Sequence, residues 1–232
     1  MNTETVLPMY YANIEPVDIK SVLSIYFEEL SGQNVNVIIV GANNGKPKDL
    51  LFDYLHLENI TAVLVEPVAE LLEELRSKLI VRENLHFENS AVDTMPRKRV
   101  LYRLKGATGF PVWSEGLGSF NKKVLLNHDN QLKGMRKYVT GEVVKCVTFE
   151  TLVKKYNLSG INVLQIDTEG YDYEIVKSMN FEKYKPDIMI IEYLHITVYE
   201  YYALIKLLQD QNYKVYRNSD FFDILAVDDQ II

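Results

Sequence analysis

The stretch VNVIIVGANNG, residues 35–45, decides the fold of this chain. It opens with a nearly continuous apolar run, 35–40, which is typical of a strand buried on both faces of a parallel sheet. Gly41 and Gly45 then bound a tight turn, where glycine permits a positive φ and a close approach of the backbone to a ligand. The stretch therefore predicts a central strand and a ligand-binding turn. A helix should follow and offer its N-terminal N–H groups to the ligand; its buried residues would be Leu50, Leu51, Tyr54 and Leu55.

Short apolar runs alternate with helical stripes along the rest of the chain. This alternation predicts an open, mainly parallel α/β sheet with helices on both faces. Ligands bind such sheets at the carboxyl ends of the strands, where the strand order reverses. Strands are predicted at 61–67, 85–92, 99–104, 142–147, 161–167 and 186–192, a terminal antiparallel pair at 212–217 and 223–227, and helices at 18–30, 149–157 and 171–179, after Pro67 and from Thr197.

Composition limits the classes of function. The 232 residues show no repeat and no linker, so we predict one domain over 1–232, with a helical lead-in over 1–34. A formal charge of −7 makes nucleic acid and anionic membranes poor partners. The single cysteine, Cys146, rules out an intramolecular disulfide and a cysteine metal site. No apolar run is long enough to span a membrane, so a cytoplasmic location is expected.

The polar, glycine-rich stretch 105–141 interrupts the regular pattern between two predicted strands. Loops of this length in a compact domain are usually lids or binding segments. Trp113, Phe110 and Phe120 favour a segment that packs on other residues over a disordered one. We therefore predict an inserted lid or substrate loop over 105–141.

Glu66 ends the second predicted strand, and its spacing from the glycine turn along the sequence is typical of sites that bind a nucleoside cofactor. A carboxylate there can accept both ribose hydroxyls, although a surface acid near a helix start would also fit. The turn lacks the G-x-G-x-x-G motif of dinucleotide-binding proteins, and a terminal antiparallel pair marks the methyltransferase sheet. The pattern thus favours S-adenosylmethionine over NAD. Ser90 or Asn89 would lie beside the adenine, or would form an ordinary turn.

The segment LQIDTEGYDYEIVKS, residues 164–178, is rich in carboxylates. Asp167 and Glu169 leave one predicted strand, while Glu192 and His195 leave the next, so these four side chains should converge. Three roles are open for Asp167: a general base, a partner of the cofactor's ammonium group, or an acid that stabilises the turn. Glu169 is a base or a helix cap, and His195 is a base near neutral pH or a capping residue. The cluster could also hold a divalent cation as an oxygen and imidazole site, but we favour a mechanism without a metal.

The other two acids of this segment differ from the first pair. Asp172 and Glu174 lie two apart in the first turn of a predicted helix, so they cannot face the same way. Negative charge is favourable there because of the helix dipole. Both are predicted to face solvent.

Several motifs in order resemble the FkbM-type methyltransferases, from roughly Val35 to Val227: VGANNG, VLVEP, NSAVD, GSF, VTFETL, IDTEGYDYEIVKSM and PDIMIIE. The resemblance implies a Rossmann-like class I methyltransferase fold with a seven-stranded sheet. It also implies S-adenosylmethionine-dependent O-methylation of a small molecule, such as a sugar or natural product, with S-adenosylhomocysteine as product. The expected cofactor-binding residues are Gly41, Ala42, Asn43, Gly45, Glu66, Pro67, Ser90, Ala91 and Asp167.

Two positions depart from the family pattern. The family usually has an acid two residues before the first glycine, where this chain has Ile39, and a lysine before the ID pair, where it has Gln165. These departures keep open a non-catalytic module that retains the fold and binds the cofactor weakly. An NAD-dependent enzyme is a further alternative that the glycine pattern disfavours. The acceptor and the oligomeric state do not follow from the sequence.

Overall fold

Two β-sheets of different size organise the chain in the computed structural model, which describes residues 14–45 and 50–231. Within these residues one sheet has eight strands and the other has four. The strands are β1 Pro16–Val17, β2 Val35–Val40, β3 Ile60–Val65, β4 Leu85–Glu88, β5 Ala91–Val92, β6 Arg97–Leu104, β7 Gly118–Ser119, β8 Val139–Val147, β9 Val163–Ile166, β10 Ile188–Glu192, β11 Tyr213–Asn218 and β12 Asp223–Asp228. The α-helices are α1 Ile19–Glu29, α2 Ala69–Lys78, α3 Lys122–Asn127, α4 Phe149–Lys155, α5 Asp172–Lys177 and α6 Val198–Asp210.

The large sheet has the order β1-β11-β12-β10-β9-β2-β3-β4. Its five strands from β10 to β4 are parallel, and β11 and β12 form the antiparallel pair expected at the end of the chain. Strand β9 pairs directly with β2, so the chain reverses its strand order between them. The predicted count of seven strands is wrong for the described residues, because the short β1 adds an eighth strand beside β11.

Helices cover both faces of the large sheet, as predicted. Helices α4, α5 and α6 bury their apolar residues in one core cluster with β9 and β10. Helices α1 and α2 pack in a second cluster on the opposite face. Helix α6 follows Thr197, as predicted, and begins with a capping box, in which Thr197 and Glu200 satisfy each other's backbone N–H groups. Among the described residues, none of the helices is long and apolar enough to cross a membrane.

The predicted strand 85–92 is instead two strands in different sheets. Strand β4 belongs to the large sheet, and β5 pairs with β8 in the small one. A tight turn separates them, in which the Ser90 amide donates to the Glu88 carbonyl oxygen. The side chain of Asn89 fixes this turn by donating to the carbonyl oxygens of Glu66 and Pro67. The small sheet, in the order β5-β8-β6-β7, therefore begins where the chain leaves β4.

Two predicted helix starts are also corrected. After the glycine turn the described residues show only a 3-10 turn, Phe52–Tyr54, although Leu50, Leu51 and Leu55 are buried as predicted. Residues 46–49 of that predicted helix, like residues 1–13 of the predicted lead-in, lie outside the described residues. The second helix begins at Ala69, two residues after Pro67; its N-cap is Val68, whose own N–H donates to the Glu66 carboxylate.

Candidate functional site

A cavity of about 670 Å³, including the part open to solvent, lies at the carboxyl ends of β2, β3 and β9. This is where the strand order reverses, and ligands bind α/β sheets at that point. The small sheet and the segment 115–120 close its other side. Eight of the predicted site residues line it: Gly41, Asn43, Glu66, Pro67, Ser90, Ala91, Asp167 and Glu169.

The glycine turn after β2 is held by its backbone. The N–H groups of Gly41 and Ala42 both donate to the Val65 carbonyl oxygen, at 2.9 and 3.0 Å. Gly41 has a φ of 81°, and a side chain there would overlap the carbonyl oxygen of Asp167. Only glycine fits this contact between the ends of β2 and β9.

Glu66 joins this turn to helix α2. Its Oε2 accepts the Asn43 N–H at 2.9 Å, and its Oε1 accepts the Val68 N–H at 2.8 Å. The residue is only 6% exposed but faces the cavity. A carboxylate oxygen has two lone pairs, so it can accept more than one hydrogen bond. The residues at this end of the cavity therefore fit a ribose.

Two predicted cofactor residues lie outside the cavity lining. Ala42 is 2% exposed and packs in the core cluster below α1. Gly45 has a φ of 66°, and a side chain there would overlap the rings and methyl groups of Phe52 and Leu75. Both shape the turn through packing.

His195 and Glu169 form a pair beside the cavity. Nε2 of His195 lies 2.8 Å from Oε2 of Glu169, and both side chains are mostly buried. The His195 ring also contacts that of His128, with centroids 5.2 Å apart. His128 was not predicted, because it belongs to the insert 105–141 and only the folded chain brings it to this place. Burial, followed by the nearby His195, lowers the pKa of His128 below its ordinary value, so this imidazole is neutral at pH 7.

Glu192 lies at the end of β10, outside the cavity lining. Its Oε1 accepts the Leu194 N–H at 2.9 Å, so it fixes the start of the loop that carries His195. Burial raises the pKa of Glu192 well above its ordinary value, and the nearby charges of Asp167, Asp172 and Glu169 raise it further.

Asp172 corrects the sequence prediction. It is fully buried and does not face solvent, because its two carboxylate oxygens accept the backbone N–H groups of Thr168 and Gly170, at 2.8 and 3.0 Å. Burial raises the pKa of Asp172 to about 6, while the backbone N–H donors oppose this shift. Glu174 does lie toward the surface and pairs with Lys177. The two acids of one helical turn thus have different roles.

The insert is folded and docks on both loops of the site. Ser119 in β7 donates its hydroxyl to the carbonyl oxygen of Glu169 at 2.6 Å. Gly116 lies against the side chain of Asn43, and a Cβ at this position would overlap the Asn43 amide. Helix α3 begins at the Asn121 cap and carries the chain to His128. Residues 116–119 of the insert therefore bridge the glycine turn and the loop after β9.

The two departures from the family pattern are cross-strand neighbours. Ile39 in β2 pairs directly with Gln165 in β9. An acid and a lysine at these positions would face each other, whereas this chain has an uncharged pair there. Oε1 of Gln165 is buried and makes no hydrogen bond within the described residues.

Nowhere in residues 14–45 and 50–231 do three or more His, Cys, Asp or Glu side chains come together in an arrangement that could hold a metal ion. The Glu169–His195 contact of 2.8 Å is a hydrogen-bonded pair next to the cavity. In a pair of this kind, the bond at one ring nitrogen sets which nitrogen keeps its lone pair.

Comparisons with known proteins agree with this architecture. A family model described as the methyltransferase FkbM domain matches residues 40–215. The fold is similar to the crystal structure of methyltransferase FkbM from Methylobacillus flagellatus KT, with a TM-score of 0.54 and 10% sequence identity. The similarity covers 95% of this chain and 50% of that one, so this chain spans about half the length of that protein. No curated protein matches the sequence significantly.

Proposed function

The chain belongs to the FkbM methyltransferase family, and we propose that it transfers a methyl group from S-adenosylmethionine to a hydroxyl oxygen of a small acceptor, such as a sugar or a natural product. One observation carries the proposal. A single cavity brings together the glycine turn, the buried Glu66 carboxylate, and the Asp167–Glu169 loop. A nucleoside and a cationic group would each meet complementary residues there.

The residues at one side of the cavity suit the cofactor. Gly41 brings the ends of β2 and β9 together at the cavity, and the Glu66 carboxylate is placed to accept hydrogen bonds from the ribose hydroxyls. The Asp167 carboxylate, at the end of β9, complements the positive charge of the sulfonium or ammonium group. When bound, S-adenosylmethionine supplies an activated methyl group and leaves as S-adenosylhomocysteine. The protein must therefore position the acceptor and remove its proton.

The Glu169–His195 pair is our candidate for the base. With Nε2–H of His195 donated to Glu169, the lone pair lies on Nδ1, and Nδ1 receives the proton of the acceptor hydroxyl. Glu169 orients the ring and stabilises its protonated form. Glu192 acts indirectly, because it holds the backbone at Leu194. A base of this kind contributes about 10²- to 10⁴-fold to the rate.

Calorimetry with S-adenosylmethionine and S-adenosylhomocysteine tests the cofactor assignment. The protein should bind both, and Glu66→Ala should abolish measurable binding. Glu58→Ala, which removes an exposed acid at the start of the same strand region, should bind as the wild type does. If the wild-type protein binds neither ligand at millimolar concentration, the proposal is wrong and the non-catalytic module takes its place.

A screen of hydroxylated acceptors with labelled S-adenosylmethionine tests the reaction. Once an acceptor is found, His195→Ala and Asp167→Asn should lower turnover far more than they lower the free energy of unfolding. Full turnover in both variants would remove these residues from the mechanism. A cytoplasmic location, a metal-free mechanism and the absence of nucleic acid or membrane partners stay predictions.

A further inference from the structure

Arg103 is a buried cation in the wall of the cavity. It lies on β6, is 8% exposed, and faces the cavity together with Leu101. Its Nη1 lies 3.2 Å from Oε2 of Glu70 and 3.5 Å from Oε2 of Glu142. Its Nε is buried, and this N–H makes no hydrogen bond within the described residues.

A buried donor without an acceptor costs about 1–3 kcal/mol, so a donor of this kind in a cavity wall calls for a ligand atom. The two glutamates already offset the charge of the guanidinium group. An anionic ligand group would therefore meet two carboxylates beside one cation. An uncharged acceptor with a lone pair suits the Nε–H better.

The surface around Arg103 is apolar. Val68, Leu71, Ala91 and Leu101 belong to one buried cluster, and all four line the cavity. An apolar slot with a directed N–H donor in its wall is complementary to a flat heterocycle with ring nitrogens. Adenine has this chemistry, because its ring nitrogens N1, N3 and N7 are uncharged acceptors.

The proposed function gives the orientation of the cofactor in the cavity. In the proposed function, Glu66 binds the ribose and the Asp167–Glu169 loop faces the sulfonium. The base then lies on the remaining side, against the wall that carries Arg103. We propose that Nε of Arg103 donates a hydrogen bond to a ring nitrogen of adenine and so determines specificity at the base end of the cofactor. This inference rests on the proposed function.

Calorimetry with S-adenosylhomocysteine tests this role without any need for an acceptor. Arg103→Met should weaken binding by about 10- to 100-fold, the range for a hydrogen bond to a charged group. Arg103→Lys should also weaken it, since an ammonium group does not reproduce the directed Nε–H. The matched control is Arg136→Met, because Arg136 pairs with Asp129 on the surface, outside the cavity lining. It should bind within about twofold of the wild type.

A second measurement needs no substitution and decides the matter if Arg103→Met fails to fold. Analogues of S-adenosylhomocysteine with N1, N3 or N7 replaced by CH are titrated into the wild-type protein. One of the three analogues should bind the wild-type protein more weakly, by about the same factor as Arg103→Met weakens binding of S-adenosylhomocysteine. A folded Arg103 variant should bind that analogue as well as it binds S-adenosylhomocysteine, because the hydrogen bond is already lost.

The outcomes separate the two proposals. Unchanged affinity of Arg103→Met, or full affinity of all three analogues for the wild-type protein, would overturn the role of Arg103 while leaving the cofactor assignment intact. A wild-type protein that does not bind S-adenosylhomocysteine would overturn the proposed function, and this inference with it.

Discussion

The two loops that frame the cavity are held in different ways. The turn after β2 is fixed by its backbone: N–H groups donate to Val65, and Gly41 makes a contact that no side chain could make. The loop after β9 is fixed by a side chain, because the buried Asp172 carboxylate accepts two of its N–H groups. The first loop depends on a missing Cβ, and the second depends on a buried charge.

The largest effect is expected from Gly41→Ala. The added methyl group would overlap the Asp167 carbonyl and separate the ends of β2 and β9, at a cost of about 3 kcal/mol or more in the free energy of unfolding. Gly32→Ala is the matched control, because Gly32 has the same φ of 81° and open space around it. The control should lose only about 1–2 kcal/mol from its left-handed backbone. Urea denaturation measures both, and equal losses would disprove the close contact.

The next largest effect is expected from Asp172→Ala. It leaves the N–H groups of Thr168 and Gly170 without their acceptor, which should cost about 2–4 kcal/mol. Glu174→Ala, two residues on in the same helix, should change stability by no more than about 0.5 kcal/mol, because its pair with Lys177 is at the surface. Urea denaturation of both variants measures the difference, and similar losses would show that Asp172 does not hold the loop.

Asp172 should also give the protein a pH dependence. Burial raises its pKa from 3.8 to about 6 in the folded chain, so the folded state binds the proton more tightly than the unfolded state does. Stability contributed by this group is therefore present below about pH 4 and is lost as the pH rises through about 6. Urea midpoints measured from pH 4 to pH 7 should fall less steeply in Asp172→Asn than in the wild-type protein. An unchanged slope would contradict the raised pKa.

These two loops also show how far the sequence reaches. The apolar run and the two glycines of 35–45 give strand β2, its place beside β9 and the turn, because each depends on local pattern or on chain order. The burial of Asp172 does not follow, since an acid in the first turn of a helix looks the same whether it faces water or a loop. His128 and Arg103 do not follow either. Each belongs to a segment whose place against the large sheet is decided by tertiary packing.

A smaller effect tests the contact between the insert and the second loop. Ser119→Ala removes the hydroxyl that donates to the Glu169 carbonyl oxygen, so we expect a loss of about 1 kcal/mol and faster hydrogen exchange at 168–172. Ser114→Ala is the control, because Ser114 is equally buried but bonds only to Pro111 within the insert. Exchange at 168–172 should be unchanged in the control. If hydrogen exchange at 168–172 is as slow in Ser119→Ala as in the wild-type protein, the insert does not hold the loop.

The smallest effect is expected from Gln165, which lies where strands β2 and β9 pair. Gln165 lies between Ile39 and Ile190, and its Oε1 is buried with no hydrogen bond among the described residues. Gln165→Leu removes this oxygen and keeps a similar volume, so stability should stay the same or rise by up to about 1 kcal/mol. Gln209→Leu, on the exposed side of α6, controls for the change of residue type. If Gln165→Leu instead lowers the free energy of unfolding by more than about 1 kcal/mol relative to this control, the Gln165 amide makes a stabilising contact. The Ile39–Gln165 pair would then contribute an interaction of its own.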